Sequence, residues 1–134
     1  MPNTIKLEIV TPEAVYTDDV DMVTLPGVEG QMGVLPLHTR LMTQLVPGEL
    51  IVNKNAHDEF LAVGEGLVEV TNDRVSIVTN MAIPFSQINE AAAEEARQRA
   101  AARLREKISS EEVASTNAAL ARSLAQLNVK RRHR

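Results

Sequence analysis

Apolar and polar side chains alternate with a period of two at the beginning of the chain. Ile5, Leu7 and Ile9 are apolar, and the charged Lys6 and Glu8 lie between them. This pattern over residues 4–10 is typical of a strand with one buried face. Further apolar and β-branched runs follow at short, fairly even spacing, at residues 20–25, 50–52, 60–63, 67–70 and 75–78. Helical spacing is not sustained before residue 85, so many short strands predict an antiparallel β-sandwich, or a barrel, over residues 1–85.

Turn-forming residues separate these runs. Pro26-Gly27 and Pro47-Gly48 are strong turn pairs, and polar or glycine-containing clusters occupy residues 53–58, 64–66 and 71–73. We therefore expect the chain to reverse at each of these five places.

After a predicted hinge at residues 82–85, the pattern becomes helical. Ser86 is a predicted N-cap for a helix that begins at Gln87. Small or apolar residues then recur at every fourth position, at Ile88, Ala92, Ala96, Ala100, Leu104 and Ile108. Because most of this stripe is alanine, it favours the helix strongly but buries little area.

A second helix is predicted after Ser109, because Ser109 and Glu112 have the spacing of a capping box. Its predicted seam consists of Val113, Asn117, Leu120, Leu124 and Leu127. Two such helices of roughly 20 residues form an antiparallel hairpin over residues 86–134. With so small a seam, we expect its docked state to be only marginally stable.

Composition and charge divide at the same place. All 6 glycines and all 6 prolines lie at or before Pro84, whereas residues 87–134 hold 12 of the 16 alanines. Residues 1–86 carry 4 basic and 12 acidic side chains, a net charge of −8. Residues 87–134 carry 10 basic and 6 acidic side chains, a net charge of +4. The overall charge of −4 therefore joins an acidic β part to a basic helical part.

Residue types that carry catalysis or hold metals lack the necessary arrangement. The chain has no cysteine, which excludes disulfides and thiolate chemistry. Gly27, Gly30 and Gly33 follow a strand, but no Gly-Lys-Ser/Thr ending comes after them, so they form no P-loop. The histidines at 38, 57 and 133 lack metal-ligand spacing. We predict a protein that is not an enzyme and has no active site, metal or cofactor of its own.

The sequence also argues against membrane insertion. No apolar run approaches the roughly 18 residues that span a bilayer, and residues 1–4 do not begin a signal peptide. Two other classes stay open at this stage. A basic helix could bind nucleic acid, although 2% aromatic residues and an acidic first part oppose this. A free-standing adaptor could associate as a coiled coil through Val113, Leu120 and Leu124.

Residues 25–38, LPGVEGQMGVLPLH, resemble the signature loop of the epsilon subunit of F-type ATP synthases. Residues 9–12, 46–48 and 64–66 resemble other motifs of that family, and residues 117–127 resemble its second C-terminal helix. The motifs occur in the family's order and cover nearly the whole chain.

The resemblance implies a β-sandwich that binds the central-stalk gamma subunit and rests on the polar loops of the membrane c ring. It further implies a hairpin that lies folded on the sandwich or extends along gamma into the alpha/beta catalytic head, where it blocks ATP hydrolysis. A weakly docked hairpin suits such a two-state switch. The implied location is peripheral, on the cytoplasmic face of a bacterial plasma membrane or the stromal face of a thylakoid membrane, without nucleic acid as a partner.

The resemblance also assigns residues. Glu29, Gln31 and His38 match the loop that faces the c ring and gamma, so they are predicted rotor contacts, although His38 could be an ordinary loop histidine. Leu35 and Leu37 could belong to the core or to an interface. The predicted contacts with an acidic segment of the catalytic beta subunit are Arg97, Arg99, Arg103, Arg105, Lys107 and Arg122.

These basic residues have a simpler alternative, a solvated helix face supported by a Glu95–Arg99 pair at i,i+4 spacing. For the basic tail at residues 130–134 we favour the corresponding interpretation, in which it complements the helix C-terminus rather than binding a partner.

One motif departs from the family. Some bacterial members bind ATP through an Ile/Leu-Asp-x-x-Arg-Ala motif at the start of the first helix. Here Asn89 replaces the acid and Ala92 replaces the arginine. The missing charge-assisted donor is typically worth about 1.5–3 kcal/mol, so we predict no tight ATP binding to the isolated chain.

Overall fold

The computed structural model describes residues 4–37 and 40–134. Within these ranges, ten strands precede a 3-10 turn (Phe85–Gln87) and two helices, α1 (Glu90–Leu104) and α2 (Ser110–His133). The strands are β1 (Ile5–Val10), β2 (Val15–Val20), β3 (Met22–Gly27), β4 (Gly30–Val34), β5 (Leu41–Leu45), β6 (Gly48–Lys54), β7 (His57–Val63), β8 (Gly66–Val70), β9 (Arg74–Thr79) and β10 (Ala82–Pro84). The predicted fold class, a β-sandwich followed by a helical hairpin, is confirmed.

Strand pairing divides the sandwich into two sheets. Sheet 1 has the order β4-β3-β6-β7-β10, and sheet 2 has the order β5-β8-β9-β1-β2. Among the described residues, the strand pairing that joins the two sheets is that of Gly27 of β3 with Leu45 of β5. Among the described strands, β1 and β9 run parallel and the other pairs are antiparallel. The prediction of an antiparallel sandwich is therefore correct except for the parallel pair of β1 and β9.

The predicted alternation builds the core. Ile5, Leu7 and Ile9 of β1 are buried, and they join Leu25, Leu50 and other inward side chains of both sheets in one continuous cluster. No residue of the described hairpin belongs to that cluster. The sandwich therefore has a hydrophobic core of its own.

Four strands were not predicted from the sequence. Three of them, β2, β4 and β5, bury one residue each: Val20, Val34 and Leu45. A single buried residue leaves no periodic signal, and β10 is only three residues long. The predicted turn at residues 53–58 is also too long, because β6 and β7 extend into it and only Asn55 and Ala56 form the turn.

The helices differ from prediction at their beginnings and in their faces. Ser86 does not cap α1, because residues 85–87 form the 3-10 turn, and the cap is Asn89, whose Oδ1 accepts from the Ala92 N–H at 3.0 Å. The predicted Ser109 cap of α2 is confirmed, with Oγ accepting from the Glu112 N–H at 3.2 Å.

The predicted seams are partly wrong. Ala93 is buried on α1, whereas the predicted Ala92 is exposed. On α2, Val113 and Leu124 of the predicted seam are exposed, and the buried residues are Ser123, Ala125, Leu127 and Val129. The reason is that α2 lies between two neighbours, α1 on one side and strands β6 and β7 on the other. A coiled-coil seam assumes a single neighbour.

Candidate functional site

Helix α2 covers the outer face of sheet 1. Along β7, Leu61 and Val63 point into the sandwich core, but Ala62 between them belongs to a second buried cluster. That cluster joins Ala62 to Ile88 and to Val129 of α2, and Phe60, Met81, Ile83 and Phe85 pack against it. The hairpin is therefore docked through a small apolar patch that is separate from the main core.

An ion pair holds the middle of α2 to the sandwich. Arg122 Nη1 lies 3.3 Å from Glu65 Oε1, in the connection between β7 and β8. Asn80 Nδ2 donates to the same carboxylate at 2.6 Å. Burial alone would raise the pKa of Glu65, but the hydrogen bonds from Asn80 and Arg122 outweigh it and hold that pKa below its ordinary value. Arg122 of the docked hairpin thus adds to the effect of Asn80 in favouring the ionised form of Glu65.

The last turn of α2 binds a carboxylate that is nearly buried. Glu49 of β6 has a side chain only 9% exposed, and Arg132 Nη1 lies 3.3 Å from its Oε1. His133 Nε2 lies 2.5 Å from its Oε2. The His133 ring also stacks on Phe60, with 3.6 Å between centroids and 13° between planes. These contacts join the end of the chain to sheet 1.

The same tail also contacts the hinge. Lys130 Nζ donates to the Phe85 carbonyl at 3.1 Å and lies 4.2 Å from the centre of the Phe85 ring. Arg131 Nε and Arg134 Nη1 bind the two oxygens of Glu90 at 3.0 and 2.6 Å. The hydrogen bond from Arg131 lowers the pKa of Glu90. Complementing the helix C-terminus, the interpretation favoured from the sequence, is therefore not the whole role of the tail.

The remaining arginines of the hairpin differ in their pairing. Arg97 forms a two-pronged bond with Glu94 at 2.8 and 2.7 Å, which lowers the pKa of Glu94 to about 2. The predicted pair of Glu95 and Arg99 is present at 4.0 Å. Arg103 pairs with Glu106 and with Glu112 of α2, so it joins the two helices at their connection. Arg105 is exposed and pairs with no carboxylate in the described ranges.

The glycine-containing loop predicted to contact a partner is a β-hairpin. Glu29 lies in the two-residue turn between β3 and β4, where Gly30 has a φ of 115° that favours glycine. Gln31 is exposed on β4 and borders a crevice beside Ala125 and Arg132 of α2. The third predicted contact, His38, lies outside the described residues.

The far end of β4 carries exposed leucines. Leu35 is exposed and Leu37 is 80% exposed, so neither belongs to the core. Leu37 has a φ of 65°, a conformation that costs a leucine energy, and its N–H donates to the Asn72 carbonyl at 2.9 Å. Strand β4 therefore separates Glu29 from these leucines.

Sheet 2 carries an exposed apolar row that the sequence reasoning missed. Val15, Val10, Val78 and Leu67 are cross-strand neighbours on β2, β1, β9 and β8. Val15, Val78 and Leu67 are more than half exposed. We call these four residues the apolar row. Val10, Val78 and Leu67 each follow or precede a core residue directly in the sequence, so their apolar character conceals that they lie on the outward face.

Comparisons with known proteins identify the family. The model of the ATP synthase delta/epsilon chain β-sandwich domain matches residues 4–85, and that of the long α-helix domain matches residues 86–131. The chain belongs to the ATP synthase delta/epsilon chain family. It is 42% identical over 126 residues to the ATP synthase epsilon chain of Herpetosiphon aurantiacus, covering 93% of each chain. It is 43% identical over 131 residues to that of Chloroflexus aggregans, covering 97% of this chain and 94% of the relative.

Two solved structures contain a chain with the same fold. A chain in the Euglena gracilis mitochondrial ATP synthase OSCP/F1/c-ring structure superposes with a TM-score of 0.75 at 25% identity, covering 90% of this chain and 78% of that one. A chain in the Tetrahymena thermophila mitochondrial ATP synthase central stalk/c-ring structure has a TM-score of 0.68 at 12% identity, covering 94% and 96%. The resemblance to the epsilon subunit is thus confirmed.

Two observations apply to the described part of this family member. Neither of its helices is long and apolar enough to cross a membrane. No group of three or more histidine or acidic side chains in residues 4–37 and 40–134 is placed to hold a metal ion.

Proposed function

We propose that the chain is the non-catalytic rotor subunit of an F-type ATP synthase. In this role it couples gamma to the c ring, supports proton-driven ATP synthesis, and inhibits ATP hydrolysis through its hairpin. Membership of the delta/epsilon family supports the place of the chain in an ATP synthase. The separately docked hairpin supports its role in inhibiting ATP hydrolysis. It acts in the F1 sector, peripheral to the membrane.

One observation carries the regulatory part of the proposal. The main core of the sandwich contains no described residue of the hairpin. When α2 leaves, the small cluster around Ala62, Ile88 and Val129 opens and the ion pairs of α2 with Glu65 and Glu49 break, but the main core stays closed. The hairpin therefore changes position without unfolding the sandwich, which is the requirement for a two-state switch.

The position of the apolar row supports simultaneous stalk binding. The hairpin occupies the outer face of sheet 1, whereas the apolar row lies on sheet 2. Exposed apolar patches of this kind mark protein interaction sites. We assign the row to gamma, because a subunit that stays in the stalk needs a contact surface that the hairpin leaves free in both positions.

The ends of β4 supply further proposed rotor contacts. Glu29 and Gln31 are exposed near one end, and Leu35 and Leu37 are exposed beyond the other. We retain Glu29, Gln31 and His38 as contacts with gamma and the c-ring polar loops. The strained, exposed Leu37 fits the same role, because backbone strain is concentrated at functional positions.

The hairpin arginines contact the catalytic head in the extended form. Arg122 must first leave Glu65, so the docked form withholds this cation from an acidic partner. Arg105 needs no such exchange, and Arg97, Arg99 and Arg103 must exchange partners on the hairpin itself. The proposed head contacts are therefore not equivalent.

Removing the hairpin tests this proposal. A chain truncated at Ser86 should still bind gamma and the c ring, because its core and the apolar row remain. Hydrolysis of ATP by the assembled enzyme should rise above that of the enzyme with the full-length subunit. Unchanged hydrolysis at every proton-motive force and nucleotide ratio would show that the hairpin is not an inhibitor.

A free-standing adaptor is the alternative function, and the exposure of Val113 and Leu124 gives it a possible contact surface. Sedimentation of the isolated chain distinguishes the two. A monomer agrees with the rotor subunit, and a stable homo-oligomer would favour the adaptor.

A further inference from the structure

The last five residues of the chain return to the place where the hairpin leaves the sandwich. They contact β6 through Glu49, β7 through Phe60, the 3-10 turn through Phe85 and the first turn of α1 through Glu90. The chain has two phenylalanines, and both lie against this tail. Tail, hinge and sheet 1 are thereby joined at one point.

We propose that Lys130–Arg134 is an intramolecular latch, and that its binding site on Glu49 and Phe60 of the sandwich sets the balance between the docked and undocked hairpin, while Glu90 of α1 holds the tail in place within the hairpin. This inference rests on the two-position hairpin of the proposed function. It adds which residues control the position of the hairpin. The site on sheet 1 binds the basic end of α2, whose His133 ring stacks on Phe60.

Glu49 is the centre of the latch because its carboxylate is nearly covered and lies between two basic side chains of the tail. A covered carboxylate needs partners, which Arg132 and His133 supply in the docked form. Glu49 lies on the outer face of sheet 1, where its cross-strand neighbour is Ala62. When the hairpin leaves, water reaches the carboxylate, so the sandwich itself does not depend on these two bonds.

Opening the latch also changes which basic side chains of the tail are exposed. In the docked form, own-chain groups bind all five tail side chains: Glu49 binds Arg132 and His133, Glu90 binds Arg131 and Arg134, and the Phe85 carbonyl binds Lys130. Opening the latch separates Arg132 and His133 from Glu49 and so makes them available to an acidic surface. One event thus frees the hairpin and presents part of its positive charge.

Thiol labelling of the full-length chain measures the latch directly, because the chain has no cysteine of its own. Ala62 is fully buried on the outer face of sheet 1, so an Ala62→Cys thiol reacts when the hairpin undocks. Val68 is buried inside the sandwich core, so a Val68→Cys thiol reports opening of the sandwich. The ratio of the two labelling rates separates undocking from unfolding.

Glu49→Gln, and separately deletion of residues 130–134, should speed labelling of the Ala62→Cys thiol about tenfold or more, the size expected for a lost charge-assisted hydrogen bond. Labelling of the Val68→Cys thiol should not change. Arg105→Gln is the matched control and should leave both rates unchanged, because this arginine is exposed on the same hairpin. In addition, Arg132→Glu should restore slow labelling to a chain carrying Glu49→Lys.

Equal labelling of the Ala62→Cys thiol in the wild-type background, in Glu49→Gln and in the deletion would overturn the latch. Hydrolysis assays of the assembled enzyme keep the two proposals apart. If labelling accelerates but inhibition of hydrolysis is unchanged, the latch stands and the inhibitory function fails. If truncation at Ser86 raises hydrolysis but no tail variant affects labelling, the function stands and the latch fails.

Discussion

Glu49 of β6 and Ala62 of β7 are direct cross-strand neighbours, and both lie beneath α2. One is a carboxylate held by the chain's own tail, and the other is the centre of the small apolar cluster. The docked state thus combines one small apolar cluster with several charge pairs. Its stability should respond to changes in charge that leave the sandwich core untouched.

Acid should weaken docking through Glu65. Hydrogen bonds from Asn80 of the sandwich and Arg122 of the docked hairpin hold the pKa of Glu65 below its ordinary value of 4.5. The part that Arg122 contributes to docking is complete above that value and is lost as pH falls through the lowered pKa. Labelling of the Ala62→Cys thiol by dithiodipyridine, which reacts in acid, should therefore accelerate below about pH 4.5. Glu65→Gln should reduce this pH dependence, with the Val68→Cys thiol as the control for unfolding. A rate that accelerates equally in Glu65→Gln would show that other groups are responsible.

The turn between β6 and β7 stores backbone strain. Asn55 and Ala56 have φ values of 53° and 65°. Asparagine adopts this left-handed conformation readily, whereas alanine adopts it at an energetic cost. Ala56→Gly should raise the free energy of unfolding by about 0.5–1 kcal/mol, the strain relieved less the entropy that glycine loses on folding. Asn55→Gly is the control, and it should raise the free energy of unfolding by less than Ala56→Gly does. Chemical denaturation measures both, and a loss of stability in Ala56→Gly would contradict this account.

Gly66 should tolerate no side chain. A Cβ added there would lie 1.9 Å from the Val78 carbonyl oxygen, which belongs to the backbone of the paired strand β9. Gly66→Ala should lower the free energy of unfolding by about 1–3 kcal/mol or more. At Gly33 the added atom meets only the flexible end of Met22, so Gly33→Ala should cost distinctly less. Equal losses in the two variants would show that the close backbone approach is not the cause.

The isolated chain should bind ATP weakly or not at all. At the position of the ATP motif, the Asn89 side chain is engaged in capping α1 and Ala92 offers no charged donor. Isothermal titration of the full-length chain with ATP should therefore give no micromolar binding. Micromolar affinity would mean that other residues of the hairpin replace the missing arginine.

The sequence predicted those features that repeat locally. Alternating residues identified β1, and runs of apolar and β-branched residues identified β3, β6, β7, β8 and β9. Ser109 with Glu112 identified the beginning of α2. Edge strands such as β2 left no signal because their buried face is a single residue. The correction at Ala92 and Ala93 has a similar cause, since a stripe of small residues gives little indication of which face is buried.

The contacts that control docking depend on residues far apart in the chain. Glu49 and His133 are separated by 84 positions, and neither belongs to a recognisable motif. The tail was interpreted as a local complement to its helix because nothing near it suggested Glu49, Phe60 or Glu90 as partners. The family resemblance supplied the proposed partners of the whole subunit, but not these contacts within it.

Holding the hairpin in its docked position tests the central claim most directly. Glu65→Cys and Arg122→Cys in one chain, joined by a short bismaleimide, replace the ion pair with a covalent link. The enzyme assembled with the linked subunit should hydrolyse ATP as fast as the enzyme with the subunit truncated at Ser86. The same variant without the reagent is the control and should hydrolyse ATP more slowly than the linked form, because the other proposed head contacts, Arg97, Arg99, Arg103 and Arg105, remain. Equal inhibition with and without the link would contradict the account, because inhibition would then not require the hairpin to leave the sandwich.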